Sequence, residues 1–184
     1  MKKIVVVILF CAFATMTKAQ NSKVEKSITG IQTGFLGVWI YNEYKITHNI
    51  ALRSEIGLNS GFKDHGVTDF LMAPVFTIEP RTYYNIGKRE AKKKNVKNNS
   101  ANFFALTAKY NPDWFVISNN TNENVPNQIL IAPKWGIRRG LGSHFNYELG
   151  IGIGIRSYFG EKIGSNGEST ETAADVHLRI GYNF

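Results

Sequence analysis

The sequence predicts an all-β fold: a transmembrane up-and-down antiparallel β-barrel of eight strands. Three observations carry that expectation. In Ala173 to Phe184, the residues Val176, Leu178, Ile180, Tyr182 and Phe184 fall on one parity, while Asp175, His177, Arg179, Gly181 and Asn183 fall on the other. A period of two puts these sets on opposite faces of a strand, and a chain ending on an aromatic after one wholly apolar face suits a closed barrel in lipid. The mean hydropathy is −0.20, and no stretch beyond residue 19 is apolar enough for a spanning helix. A barrel accounts for this, because lipid-facing and lumen-facing residues cancel in any sliding window. The third observation is an export leader at the other end of the chain.

Met1-Lys2-Lys3 is a short cationic start, Ile4 to Met16 is an apolar run, and Thr17-Lys18-Ala19 supplies a small residue before a cut at Gln20. The run is too short for a helix across roughly 30 Å of hydrocarbon. Residues 1–19 therefore read as a signal peptide and 20–184 as one barrel domain. Cys11, the sole cysteine, lies inside the leader after the bulky Phe10, so the mature chain carries no thiol, disulfide or cysteine metal site. The formal net charge of +8 falls to +5 without Lys2, Lys3 and Lys18. The segment holding Lys88, Arg89, Lys92, Lys93, Lys94 and Lys97 against Glu90 accounts for all of that remainder. Charge confined to one loop argues against nucleic-acid binding, which needs basic residues spread over a face.

The strands follow by parity. Leu36 to Ile46 turns Leu36, Val38, Ile40, Tyr44 and Ile46 outward and Trp39, Tyr41 and Glu43 inward. After a turn at 47–49, Ile50, Leu52, Ile56 and Leu58 face out against Ala51, Arg53, Glu55 and Gly57, which makes a hairpin. Phe70 to Tyr84 carries Thr77, Glu79 and Arg81 inside, and Asn102 to Tyr110 carries Phe104, Leu106 and Tyr110 outside. Gln128 to Arg139 and Asn146 to Arg156 complete the middle, the latter with Gly150, Gly152 and Gly154 on its inner face. Those glycines leave room for large neighbours or for sharp coiling. These segments number seven with the last strand, and an even count is required when both ends share a side. Either a first strand lies within 23–34, or one long strand runs from Ile28 to Ile46.

Leu71-Met72-Ala73-Pro74 repeats as Leu130-Ile131-Ala132-Pro133, so two segments run in the same direction. Proline removes a ladder donor, and Pro74 and Pro133 are expected to mark a bulge or a strand start. With the last strand descending, 47–49 and 140–143 become short periplasmic turns, and 59–69, 111–127 and 157–173 become outer loops. Alternation puts the long basic segment 85–101 on the periplasmic side.

On the final strand above all, the chain resembles the small bacterial outer-membrane β-barrel proteins of the OmpA/OmpX-like kind. In such proteins the terminal aromatic strand, here Leu178, Ile180, Tyr182 and Phe184, serves as the assembly signal. The resemblance implies the cell outer membrane after export to the periplasm, with outer-membrane lipid and the barrel assembly machinery as partners. It implies a structural, adhesion or surface-interaction role and no enzyme.

Inward positions collect Glu43, Glu55, Glu79, Glu148 and Asp175 with Arg53, Arg81, Lys109, Lys134, Arg138, Arg156, His177 and Arg179. Buried charges must pair, so these residues form a plug in a lumen just wide enough for side chains. A narrow channel through the same network is the alternative. A second alternative is a lipid- or peptide-modifying enzyme using Ser60, Asp64, His65 and Asp69 of the first outer loop, although their spacing matches no catalytic motif. His48 and His144 sit at turns, no histidines have metal-ligand spacing, and Gly150 to Gly154 opens no helix and binds no nucleotide. No metal or cofactor is expected. Trp114 and Phe115, before the Asn-rich run at 119–122, suit an interfacial aromatic girdle. The basic loop could contact lipopolysaccharide or an acidic envelope polymer by charge alone.

Overall fold

The computed structural model describes residues 24–64, 68–119, 125–159 and 169–184, with the side chains of 61–70 excepted. The leader, Cys11 and His65 lie outside the described residues. The strands are β1 (Ser27–Gly34), β2 (Gly37–Lys45), β3 (Ile50–Asp64), β4 (Thr68–Thr82), β5 (Asn102–Asn111), β6 (Ile117–Ser118), β7 (Asn127–Leu141), β8 (Phe145–Phe159) and β9 (Ser169–Asn183). Each long strand pairs antiparallel with its sequence neighbour, and β1 pairs with β9 from Gly30↔Asn183 to Gly34↔Arg179. The sheet closes on itself. The two-residue β6 continues the line of β5 along β4, which makes eight staves.

The strand missing from the parity count is β1. It turns Ile28, Gly30 and Gln32 inward, and the two-residue turn Phe35-Leu36 joins it to β2, so the single long strand from Ile28 is excluded. Every other strand keeps the expected faces. Ile40, Ile56, Ile78, Leu106, Ile131, Ile151, Ile153, Ile155, Leu178 and Ile180 are exposed and form an apolar belt around the outside. Aromatics crowd one rim of that belt, where Phe145, Tyr182 and Phe184 meet edge to face and Tyr84 lies tilted against Phe104.

Some expectations fail. The segment 59–69 is strand where it is described, with β3 and β4 paired to Asp64↔Thr68, and the described ends of 157–173 are strand too, with β8 and β9 paired to Tyr158↔Ser169. Pro133 makes neither a bulge nor a start, whereas beside Pro74 the ladder slips by three residues, from Phe76↔Tyr110 on β5 to Met72↔Ile117 on β6. Around Pro133 the register is the same on both sides in each flanking pair, and only the rungs with β8 at 132 and 133 are missing. Pro74 stays paired with Leu58 while β5 leaves the sheet opposite it, with Asn111 Nδ2 donating to the Pro74 carbonyl at 3.0 Å. At Pro133 the missing N–H faces a gap, and the register is kept on both sides.

The register also sets the width. Gly30 leads through Tyr41, Glu55, Thr77, Lys109, Leu130 and Arg156 to Glu171 on β9, while Gly30 itself faces Asn183 on the same strand. One circuit therefore climbs twelve residues. For eight strands, that stagger gives a tilt of about 46° and a backbone radius of about 9 Å. The barrel is strongly sheared, with more lumen than a minimal stagger would leave.

Candidate functional site

The lumen divides into a filled half beside the two described chain ends and an open half beyond. In the filled half, arginines lie over aromatic rings. Arg53 sits 3.6 Å from the Tyr41 ring centre, Arg179 3.9 Å from Trp39 and Arg81 4.2 Å from Phe103. Guanidinium planes are weakly hydrated and stack well, so these pairs fill space that neither charge nor hydrocarbon would fill alone. Room comes from glycine on facing strands. A Cβ at Gly136 would lie 2.3 Å from the Phe103 ring, and one at Gly150 would lie 2.4 Å from the His177 ring.

The carboxylates answer the arginines. Arg81 grips Glu148 with both terminal nitrogens, at 2.9 and 2.8 Å, and donates Nε–H to Glu79 at 2.6 Å. Glu55 takes Arg53 on one side and Arg179 at 2.8 Å on the other. Glu43 accepts from Arg138 at 3.0 Å and from the Tyr83 hydroxyl at 2.8 Å. Higher in the barrel, Lys134 bridges Glu79 at 2.9 Å and Asp175 at 2.5 Å, and Lys109 also reaches Asp175. His177 Nε2 lies 3.2 Å from Glu148 Oε1. Arg156 stands apart, one-third exposed, and pairs with Glu171 at 3.2 Å.

Sequence reasoning missed three amide members and the cap. Gln32 accepts from Arg53 at 2.6 Å and donates to Asn146 at 2.8 Å, and Asn146 donates to Asn183 at 3.0 Å. Parity already placed Asn146 and Asn183 inside without giving a reason to single them out, and Gln32 lay in the stretch whose strand was left open. The basic segment is no simple turn either. Residues Ile86–Ala91 form a one-turn-and-a-half helix, α1, and the chain then folds over the barrel end. Ile86 joins Val24, Ala51, Tyr83, Ala101 and Phe103 in a buried apolar cluster. Asn98 and Asn99 adopt positive φ, which asparagine tolerates better than most residues. The Asn99 amide then reaches Glu43, while the Glu25 N–H donates to Asn99 Oδ1 at 2.8 Å. The lysines at 88, 92, 93, 94 and 97 stay exposed on the outside of this cap.

The expectation of a lumen just filled by side chains holds only for this half. Above Lys109 and Asp175 lies a cavity of about 780 Å³, lined by Leu71, Ala73, Leu130, Asn111, Gln128 and Arg156 among others. Its size falls within the usual range for small-molecule sites. Ser60 lies on its rim and donates its hydroxyl to the Phe35 carbonyl at 2.9 Å. The side chains of Asp64, His65 and Asp69 lie outside the described residues. Among the described residues no group of three His, Cys, Asp or Glu side chains could hold a metal. Trp114 is exposed and meets Phe76 edge to face, and Phe115 is exposed beside it.

Against known proteins, no family model, no curated protein and no solved structure matches this chain.

Proposed function

We propose that this chain is an outer-membrane β-barrel protein with a structural or surface-interaction role and a lumen closed to ions. One observation carries the reading: a closed barrel wears an apolar belt outside and a network of ion pairs inside. A water-soluble barrel has the opposite need, since a belt of exposed isoleucine and leucine this size would drive association. Leu178, Ile180, Tyr182 and Phe184 belong to that belt on the final strand, in line with an assembly signal read by the barrel machinery.

Closure of the lumen rests on the filled half. Arginine, aromatic and carboxylate side chains pack from wall to wall, with the cap beneath them, and a conducting path needs water where these groups stand. The narrow-channel reading is therefore the weaker one. The lysines on the cap sit at the end that holds both described chain ends. In a barrel with periplasmic termini they face an acidic envelope polymer rather than surface lipopolysaccharide.

The test has two parts. Boiled and unboiled samples of the membrane fraction should migrate differently on a gel, and the purified barrel should show no steady openings in a planar bilayer. A protein released in soluble form after export would end the membrane reading, and regular single-channel steps would replace the plug with a pore.

A further inference from the structure

Among the described residues the barrel wall is incomplete in its upper half. β1 and β2 run for 8 and 9 residues, whereas β3, β4, β7, β8 and β9 each run for 15. Because Gly34 pairs with Arg179, β9 from Ser169 to Leu178 has β8 on one edge and no strand on the other among the described residues. Likewise β2 stops at Gly37↔Asn59, so β3 beyond Asn59 pairs with β4 alone. The hairpin tip ends roughly 16 Å below the neighbouring strand ends, given the rise and tilt of such strands.

The cavity meets this slot. Its lining includes Ala174, Asp175 and Val176 in succession, and Asn59 with Ser60, together with Leu36 at the hairpin tip. Successive residues of a strand point to opposite faces. A wall that includes all three of Ala174, Asp175 and Val176 must therefore expose the edge of β9, not its inner face alone. Val176 and Leu36 also belong to the outer apolar belt, at 49% and 41% exposure. The cavity is thus continuous, through the slot, with the surface that faces lipid.

A second observation concerns charge. Leaving His177 aside, the paired lumen network among the described residues holds six cations, Arg53, Arg81, Arg138, Arg179, Lys134 and Lys109, against five carboxylates, Glu43, Glu55, Glu79, Glu148 and Asp175. Lys109 and Lys134 share Asp175, and Lys109 lines the cavity. An unmatched charge away from water is costly, and the surplus cation stands where a ligand would arrive. Arg156 adds a partly exposed guanidinium higher on the same wall.

From these two features we infer that the cavity takes a single-chain amphiphile with an anionic head, such as a fatty acid, drawn sideways from the outer half of the bilayer. Its chain covers the exposed edge of β9 and the apolar wall of Leu36, Leu71, Leu130 and Val176. Its head supplies the missing negative charge beside Lys109. The inference rests on the membrane reading above and adds the ligand class and the route of entry.

Trp39 provides a local reporter, since its indole N–H donates to Asn59 on the cavity wall at 3.0 Å. With Trp114→Phe and Trp135→Phe it is the one tryptophan left. Dibrominated stearate added to phosphatidylcholine vesicles holding this barrel should quench Trp39 saturably. The methyl ester should bind at least about tenfold more weakly, and so should the free acid in Lys109→Met, the scale expected for losing a charge-assisted contact. Ala174→Phe, which narrows the slot, should slow the onset of quenching, and a large excess of acetate should not compete. Equal binding of acid and ester, or unchanged binding in a correctly folded Lys109→Met barrel, overturns the anionic head. Competition by acetate, or unchanged onset with Ala174→Phe, overturns lateral entry of a lipid. Loss of heat-modifiable migration in the parent barrel would instead sink the membrane reading, and the inference would fall with it.

Discussion

Glu148 takes three close contacts at once, two from Arg81 and one from His177, which makes it the residue whose loss the lumen would feel most. Both terminal nitrogens of Arg81 end on it, and His177 approaches the same carboxylate. Glu148→Ala would strand a fully buried guanidinium, and removing one partner of such a pair costs about 3–5 kcal/mol. We expect that loss as a lower urea midpoint, read by the heat-modifiable gel shift, with targeting unaffected. Parity put Glu148 and Arg81 on the inside but did not pair them. They are 67 residues apart, and only the register of three successive strand pairings, β4–β5, β5–β7 and β7–β8, brings them together. Gly136 is a similar case. Its inner position was legible, whereas its role as the seat for the Phe103 ring depends on the β5–β7 register, Phe103↔Gly136. Gly136→Val should therefore lower the unfolding midpoint, and Phe103→Ala should recover part of the loss. Simple additivity of the two changes in a double-mutant cycle would mean the ring and the glycine do not share that space.

At the level of elements, what the sequence shows depends on whether periodicity is there to be read. β9 has a perfect alternation over its last residues, and both its faces appear as expected. The cap has no periodicity: α1 is six residues long, buries only Ile86, and sits in a run of lysines that reads as solvated loop. Its structure comes from tertiary contacts with Val24, Tyr83 and Phe103, which no local pattern records. The outer strand extensions were missed for the opposite reason. Their residues, such as Ser157, Ser169, Thr170 and Thr172, are polar on both faces, so alternation fades while backbone pairing continues. The two roles of β9 can be separated experimentally. Phe184 is exposed at the rim with its N–H bonded to Thr29, whereas Arg179 is buried over Trp39 and bonded to Glu55. Deleting Phe184 should reduce the inserted fraction in membranes and leave inserted molecules of near-normal stability. Arg179→Ala should insert normally and unfold at lower urea. Identical behaviour of the two variants would show that the faces of the strand do not carry separate functions.

For the whole molecule, the closed sheet, the strand number and the inside–outside division were legible, because each follows from alternation plus an even count. The stagger was not, since it is a property of eight registers taken together and of no single segment. It governs the lumen all the same. A twelve-residue climb gives a wide barrel, and the described residues fill one half of it with stacked arginine and aromatic pairs and line a cavity in the other. The filled half contains two closures in series, the stacked network and the cap formed by Ile86, Asn98 and Asn99. Series closures make a specific prediction. Ile86→Ser with Asn99→Ala removes the apolar seat of the cap and its bond to Glu43, so proteolysis at the exposed lysines 92 to 94 should accelerate. Ion conductance in a planar bilayer should stay at baseline, because Arg53, Arg81 and Arg138 still span the lumen above. Steady openings in that variant would identify the cap as the sole gate and reduce the charged layer to a lining.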